Sequence, residues 1–298
     1  MNVKSIKSSV LAVMSAAAGV IVSTTAISAE RPELLAYPFK TSVTEGGTYA
    51  NGSTVGTDFV ISGTISSALT FSSDVPYRVT LDGASVSETI TLSGEATLWL
   101  VGDNVVETTA ATAVSSTGTL TIGGPGYVTL ASAPTKKQTG PVVAENLVVA
   151  GGNVSIVLNA DVKNVAGITL TGDYVWATGG SDGAGIGTGS FGSCGGITIT
   201  GGEVAASGGT YAAGIGGGNG GEIGSIYIGE GIVRVAATRG GSTGRDPIGG
   251  ENGTVTISES LGDTLMDDGA TRIIAPFVTV TFDANCGTVS PATRKADG

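Results

Sequence analysis

A repeat of fixed period constrains this chain more than any other feature of its sequence. Ile168-Thr169-Leu170-Thr171 returns as Ile197-Thr198-Ile199-Thr200, as Ile226-Tyr227-Ile228-Gly229 and as Val255-Thr256-Ile257-Ser258, with the numbering of each start advanced by 29 from the last. A second segment keeps the same step: Val175, Val204 and Val233 head Val-Trp-Ala-Thr, Val-Ala-Ala-Ser and Val-Arg-Val-Ala. A third runs Ala184-Gly185-Ile186-Gly187, then Ala213-Gly214-Ile215-Gly216, and recurs altered as Pro247-Ile248-Gly249-Gly250. Self-similarity at a fixed period marks an architecture in which each unit buries its apolar face only by stacking on its neighbours.

Within each segment apolar residues alternate with small or polar ones, the period of a strand. Ile168, Leu170, Ile197, Ile199, Ile226, Ile228, Val255 and Ile257 are expected to point inward, and Thr169, Thr198, Tyr227 and Thr256 outward. Three short segments per repeat, separated by Gly-rich turns, predict an all-β fold: a single-stranded parallel β-helix with three strands per coil. Successive coils would lie about 4.8 Å apart. The usual rule for parallel crossovers makes the helix right-handed. In the last repeat the step from Val233 to Ile248 is 15 where that from Val204 to Ile215 is 11, and the step from Ile248 to Val255 is 7 where 11 is usual. Coil length is held while a loop carrying Arg239, Arg245 and Asp246 is expected to slide outward.

Composition agrees with one long β domain. Of 298 residues 50 are Gly and only 13% are charged. The net charge of −11 leaves no basic footprint for nucleic acid. The same charge would repel an acidic polysaccharide unless a cation or a local Arg patch mediates the contact. There is no histidine, which removes Ser-His-Asp, Cys-His and His-based acid–base chemistry. Cys194 and Cys286 show no framework spacing and read as buried thiols or one disulfide.

The boundaries follow from local composition. Residues 1–29 read as a secretory signal, with Lys4 and Lys7 before the apolar run 10–22 and small residues at Ala26-Ile27-Ser28-Ala29. That run is too short for a membrane span, which needs about 20 residues. Residues 30–58 read as a polar lead-in and 59–275 as the β-helix, with Pro134 to Lys137 as an outward loop. Residues 261–275 read as an irregular cap, and 276–298 as the start of something else, outside the rhythm of the repeats.

That last stretch, Val278-Thr279-Val280-Thr281-Phe282-Asp283-Ala284-Asn285-Cys286-Gly287-Thr288-Val289, resembles the opening strand of the Listeria–Bacteroides (internalin B-type) repeat, with Cys286 where that family has Gly. The resemblance implies that 276–298 is the start of a truncated repeat of that kind, and that the protein is a modular bacterial surface protein. The middle of the chain is similar to a bacterial carbohydrate-binding β-helix family with a pectate-lyase-like fold. Its carriers are Val79-Thr80-Leu81-Asp82-Gly83-Ala84, Leu98-Trp99-Leu100-Val101-Gly102-Asp103-Asn104 and Gly118-Thr119-Leu120-Thr121-Ile122-Gly123-Gly124-Pro125-Gly126. This resemblance implies polysaccharide binding, in some members with calcium.

Candidate chemistry lies on outward positions. Trp176 alternates with Val175 and Ala177 and is expected outside, with Ala205 and then Arg234 above it in the same ladder. Tyr227 interrupts the outward Thr column, and Tyr211 sits on a turn. Exposed aromatics beside small residues make a shelf for a sugar ring, with Arg234 and Thr hydroxyls at its edge; lone surface aromatics also occur without any role. Asp173, Asp182, Asn219 and Glu222 lie on turns, where hard oxygen ligands can hold calcium, although solvated turn residues and Asx-turns are the commoner use of such positions. Gly187-Thr188-Gly189-Ser190-Phe191-Gly192 matches G-x-G-x-x-G, but no helix follows it and turn glycines explain it. The expectation is a secreted or cell-surface protein that binds polysaccharide or a surface glycan without catalytic turnover. A polysaccharide lyase or hydrolase on the same fold, using Arg234, Arg239 and Arg245 with Asp246, is the first alternative. A structural stalk with protein partners is the second.

Overall fold

The structure, a computed structural model, describes residues 37–110, 112–132, 142–144, 146–151, 153–157, 167–241, 246–266, 269–281 and 293–296. All of them fall in the compact unit Arg31–Gly298. Residues 1–29, the loop Pro134 to Lys137, Arg245 and Cys286 lie outside the described residues. Among those described there are strands but no helix.

The strands form parallel columns. The first contains Phe39–Val43, the opening halves of Thr57–Ile65 and Tyr77–Val86, then Ala96–Val101, Thr119–Gly123, Asn146–Val149, Gly167–Leu170, Ile197–Ile199, Ser225–Ile228 and Thr254–Ile257. The second contains the closing halves of the same two long strands, then Asp103–Thr108, Tyr127–Ser132, Asn153–Val157, Tyr174–Thr178, Gly202–Ser207 and Ile232–Thr238. A third, of Gly47–Ala50, Leu69–Ser72, Ile90–Ser93, Val114–Ser116 and Val142–Val143, accompanies the earlier passes. In the evenly spaced later passes its place is taken by two ribbons. One is Ile186–Gly187, Ile215–Gly216 and Ile248–Gly249; the other is Ser193–Cys194 and Glu222–Ile223. Large parallel sheets of this kind are compatible with a parallel β-helix.

The period fixes the register. Ile168 pairs with Ile197, Ile197 with Ile226 and Ile226 with Val255. Ile168, Ile197 and Ile226 are buried and Val255 packs against the same core. Each fully buried aliphatic side chain contributes about 1.5–3 kcal/mol, and each rung also satisfies the backbone groups of the next.

Three parts differ from the reading of the repeat. Strands begin at Phe39, inside the polar lead-in, because Val43 sits over Ile61 and is buried like it. The segment 261–275 is a regular hairpin: Leu261–Met266 pairs antiparallel with Thr271–Pro276, which pairs antiparallel with Ile232–Thr238. It thereby covers the last edge of the second column. The third difference is in register. Val204 pairs with Val235 and not with Val233, through a bulge at Gly202/Glu203. Ile232 and Val235 are buried while Val233 is 65% exposed. Of the two extra residues, one sits at the corner containing Gly231, whose φ is +95°, and the other is Val233 itself, bulged between Ile232 and Arg234. The shift keeps Ala177, Ala206 and Ala237 in one buried ladder. That ladder needs small residues because the segments around Gly185 and Gly214 lie against the backbone of Ser207 and Thr238. Were Val233 in register with Val204, Val235 would follow Ala206 in that ladder and overfill it.

Candidate functional site

The pairing of the second column aligns its alternate positions in three ladders. The first runs Asp103, Tyr127, Asn153, Tyr174, Glu203, Arg234; the second Val105, Thr129, Ser155, Trp176, Ala205, Ala236; the third Glu107, Ala131, Val157, Thr178, Ser207, Thr238. Val128, Leu130, Val175, Ala177, Val204 and Ala206 are buried, which forces the residues that alternate with them on the same strands outward. Trp176 is 51% exposed. The methyl groups of Ala205 and Ala236 continue its ladder and leave one flank of the indole low. Tyr174 stands two positions before Trp176 on the same strand face, and Tyr127 lies two rungs below Tyr174, about 10 Å away at ordinary strand spacing. Arg234 lies 3.8 Å from Glu203 in an exposed ion pair. The register shift therefore moves Arg234 from the Trp176 ladder to the Tyr174 ladder while leaving it on the same face.

Tyr227 and Tyr211 are elsewhere. Tyr227 is outward on the first column, between Thr198 and Thr256, and 43% exposed. Its ring folds towards Gly229, where an added Cβ would meet Tyr227 Cε1 at 2.7 Å. Tyr211 is 50% exposed on a turn whose N–H donates to the Ser181 carbonyl at 3.4 Å. The turn before Ser193–Cys194 carries Phe191, which in the sequence is only one member of a glycine-rich string. Phe191 is 77% exposed at φ +52°, a conformation few non-glycine residues adopt. Its ring lies on Gly220, where an added Cβ would meet Cε1 at 2.7 Å. The one signal in the sequence is that Phe191 and Gly220 occupy the same position of successive repeats.

The expected calcium ligands are only partly brought together. Asp182 and Asn219 touch: the Asn219 N–H donates to the Asp182 carbonyl at 2.8 Å and its side-chain amide to Asp182 Oδ1 at 3.5 Å. Asp173 is at the corner between the first two columns, where its carbonyl accepts the Glu203 N–H. Glu222 is paired with Ser193 and bridged to Glu251 on the third side. Among the described residues no group of three or more His, Cys, Asp or Glu could hold a metal ion. Of the cationic set considered for a lyase, Arg239 donates to the carbonyls of Gly269 and Gly240.

A second polar constellation lies on the outer face of the first column near its start. Arg78 Nη2 donates to Asp58 Oδ2 at 2.6 Å, and Thr80 Oγ1 donates to Asp58 Oδ1 at 2.7 Å. The guanidinium sits 4.3 Å from the Tyr37 ring centroid and 5.7 Å from that of Trp99, within cation–π range. Burial pushes the Tyr37 phenol above its ordinary value, against the opposing effect of Arg78. With Asp58 only 1% exposed, this cluster fastens the incoming strand to the sheet and offers little open surface.

Set against protein-family models, curated proteins and solved structures, the chain matches none.

Proposed function

We propose that this is a secreted or cell-surface protein that binds a glycan on the outward face of the second column and does not turn it over. The columns are read as the sides of a right-handed, single-stranded parallel β-helix with three strands per coil. The observation that carries the proposal is the set Tyr127, Tyr174 and Trp176 on one sheet face, at positions set by strand spacing. Aromatic faces held by a rigid sheet stack on the apolar faces of sugar rings, and they lose little conformational freedom on doing so. Thr129, Thr178 and Ser207 stand beside them with hydroxyls that donate and accept. The similarity of the middle of the chain to carbohydrate-binding β-helices points to the same chemistry, and the Listeria–Bacteroides-like end to display at the surface.

The test is a pull-down of the secreted chain on immobilised plant and bacterial polysaccharides, run beside an ultraviolet assay for unsaturated uronate and a reducing-end assay. Retention without product is the expected result. Product formation would put the lyase or hydrolase reading in its place. Retention of a protein partner alone would leave the stalk.

A further inference from the structure

We infer that the ligand of the second-column face is an uncharged polysaccharide, held without a bridging metal ion. This rests on the glycan-binding reading above and narrows it by charge. Among the described residues the face carries carboxylates at Asp103, Glu107 and Glu203 and one cation, Arg234. Arg234 is already opposite Glu203 at 3.8 Å. The other Arg side chains that the structure describes are engaged too: Arg78 with Asp58, Arg272 with Asp263, and Arg239 with backbone carbonyls. Lys40 stands on the first column, next to Asp58.

A uronate chain laid along Tyr127, Tyr174 and Trp176 would therefore bring its carboxylates to a face already acidic, on a protein of net charge −11. Among the described residues no uncompensated Arg on that face meets them, and like-charge contact of this kind works against binding. Calcium could bridge two sets of carboxylates, but it needs several oxygen ligands converging on one point. Asp103 and Glu107 are separated along one strand, and Glu203 is four rungs above Asp103. Among the described residues no triple acidic group exists to serve. What the face does offer suits neutral sugars. Aromatic faces take the C–H side of a ring, and hydroxyl side chains exchange donor and acceptor roles with sugar hydroxyls. The two-rung step from Tyr127 to Tyr174, about 10 Å, spans about two rings of an extended pyranose chain.

Affinity gel electrophoresis of the full secreted chain separates the cases. The probes are barley β-glucan and arabinoxylan as neutral polymers and polygalacturonate as the anionic one, each with calcium chloride and with EDTA. At least one neutral polymer is expected to retard the protein equally in calcium and in EDTA, with no retardation by polygalacturonate in either. Trp176→Ala and Tyr174→Ala are each expected to weaken the neutral interaction by about tenfold or more, with an unchanged melting curve showing that the fold survives. Glu203→Gln, which leaves Arg234 without its acid, is expected to bring in weak polygalacturonate retardation that salt abolishes. Calcium-dependent retardation by polygalacturonate without any by neutral polymers would overturn the inference and leave glycan binding standing. Retardation by neutral polymers that both aromatic substitutions leave untouched would overturn the choice of face. Retardation by no polymer would overturn the glycan-binding reading itself.

Discussion

The passes between Phe39 and Val149 and those between Ile168 and Ile257 solve one stacking problem in two ways. In the earlier region the numbering advances from rung to rung by 18 between Thr41 and Phe59, by 19 between Val79 and Leu98 and by 27 between Ile122 and Val149. The interior there is filled by large side chains: Phe71, Tyr77, Leu69, Ile90, Leu92, Leu98 and Leu120 are all fully buried. Phe71 stacks on Tyr49 at 5.3 Å and tilts against Phe59 at 5.0 Å. In the later region each step of the first column is 29, and the third side packs the buried Ile186, Ile215, Ile248, Cys194 and Ile223 together with glycine backbone. Gly187 and Gly216 have φ of +138° and +134°, and an added Cβ on either would collide with the carbonyl of the glycine one rung on. Flexible side chains can fill a gap of varying shape, so loop length drifts. Backbone seated on backbone leaves no slack, so a change of pass length would break contact along the whole side. A strict period is the mark of the second solution. The last pass conforms: it gains residues at the Gly231 corner, at the Val233 bulge and in the loop before Ile248, and sheds them before Val255.

This contrast can be broken or sharpened by substitution. Phe71→Ala should show the largest effect, a loss of about 3–5 kcal/mol for a buried aromatic, measured by urea unfolding. Gly216→Ala removes no side chain at all, yet should cost about 2–3 kcal/mol through strain and overlap with the next rung. A Gly216→Ala protein as stable as the parent would show that the glycine side has slack. Tyr77 should give a smaller, pH-dependent effect. Its hydroxyl donates to the Phe71 carbonyl at 3.2 Å and accepts the Ser93 N–H at 3.2 Å, and burial raises the phenol to about 12. A group whose folded pKa lies above its unfolded value near 10 stabilises fully below that value, and the contribution fades as pH rises towards about 12. Tyr77→Phe should therefore flatten the decline in melting temperature across that alkaline window. Val233→Ala should be nearly silent, within about 0.5 kcal/mol, as for an exposed position, while Val235→Ala should cost about 1–3 kcal/mol. Equal losses at both would contradict the shifted register.

The stacked core is legible in the sequence because burial writes itself as alternation: Ile168, Ile197 and Ile226 differ from Thr169, Thr198 and Tyr227 in the one property a core selects. The shift at Val233 is not legible. Val233 and Val235 have the same parity and the same side chain, and what separates them is the space beside Ala237, which belongs to another part of the chain. The hairpin that begins at Leu261 is hidden for a related reason: its two strands are adjacent in sequence, but the edge it docks on, Ile232–Thr238, belongs to the preceding pass. The candidate face is half legible. Trp176 announces itself by breaking a run of small residues. Tyr127 and Tyr174 do not, because their alignment depends on passes of unequal length, a step of 26 from Tyr127 to Asn153 and of 21 from Asn153 to Tyr174. Phe191 is masked by its glycine neighbours.

The account stands on the register of the repeat, and a cross-link reads it directly. Thr169 and Thr198 are outward partners on adjacent rungs, with Cα atoms about 4.8 Å apart as in any sheet, within the range a disulfide spans. In a background carrying Cys194→Ser and Cys286→Ser, the pair Thr169→Cys and Thr198→Cys should close quantitatively on mild oxidation of the monomer. The pair Thr169→Cys and Thr256→Cys, three rungs apart, should remain as free thiols. Closure of the distant pair, or failure of the adjacent one in a folded protein, would contradict the stacking from which the fold and the candidate face are both derived.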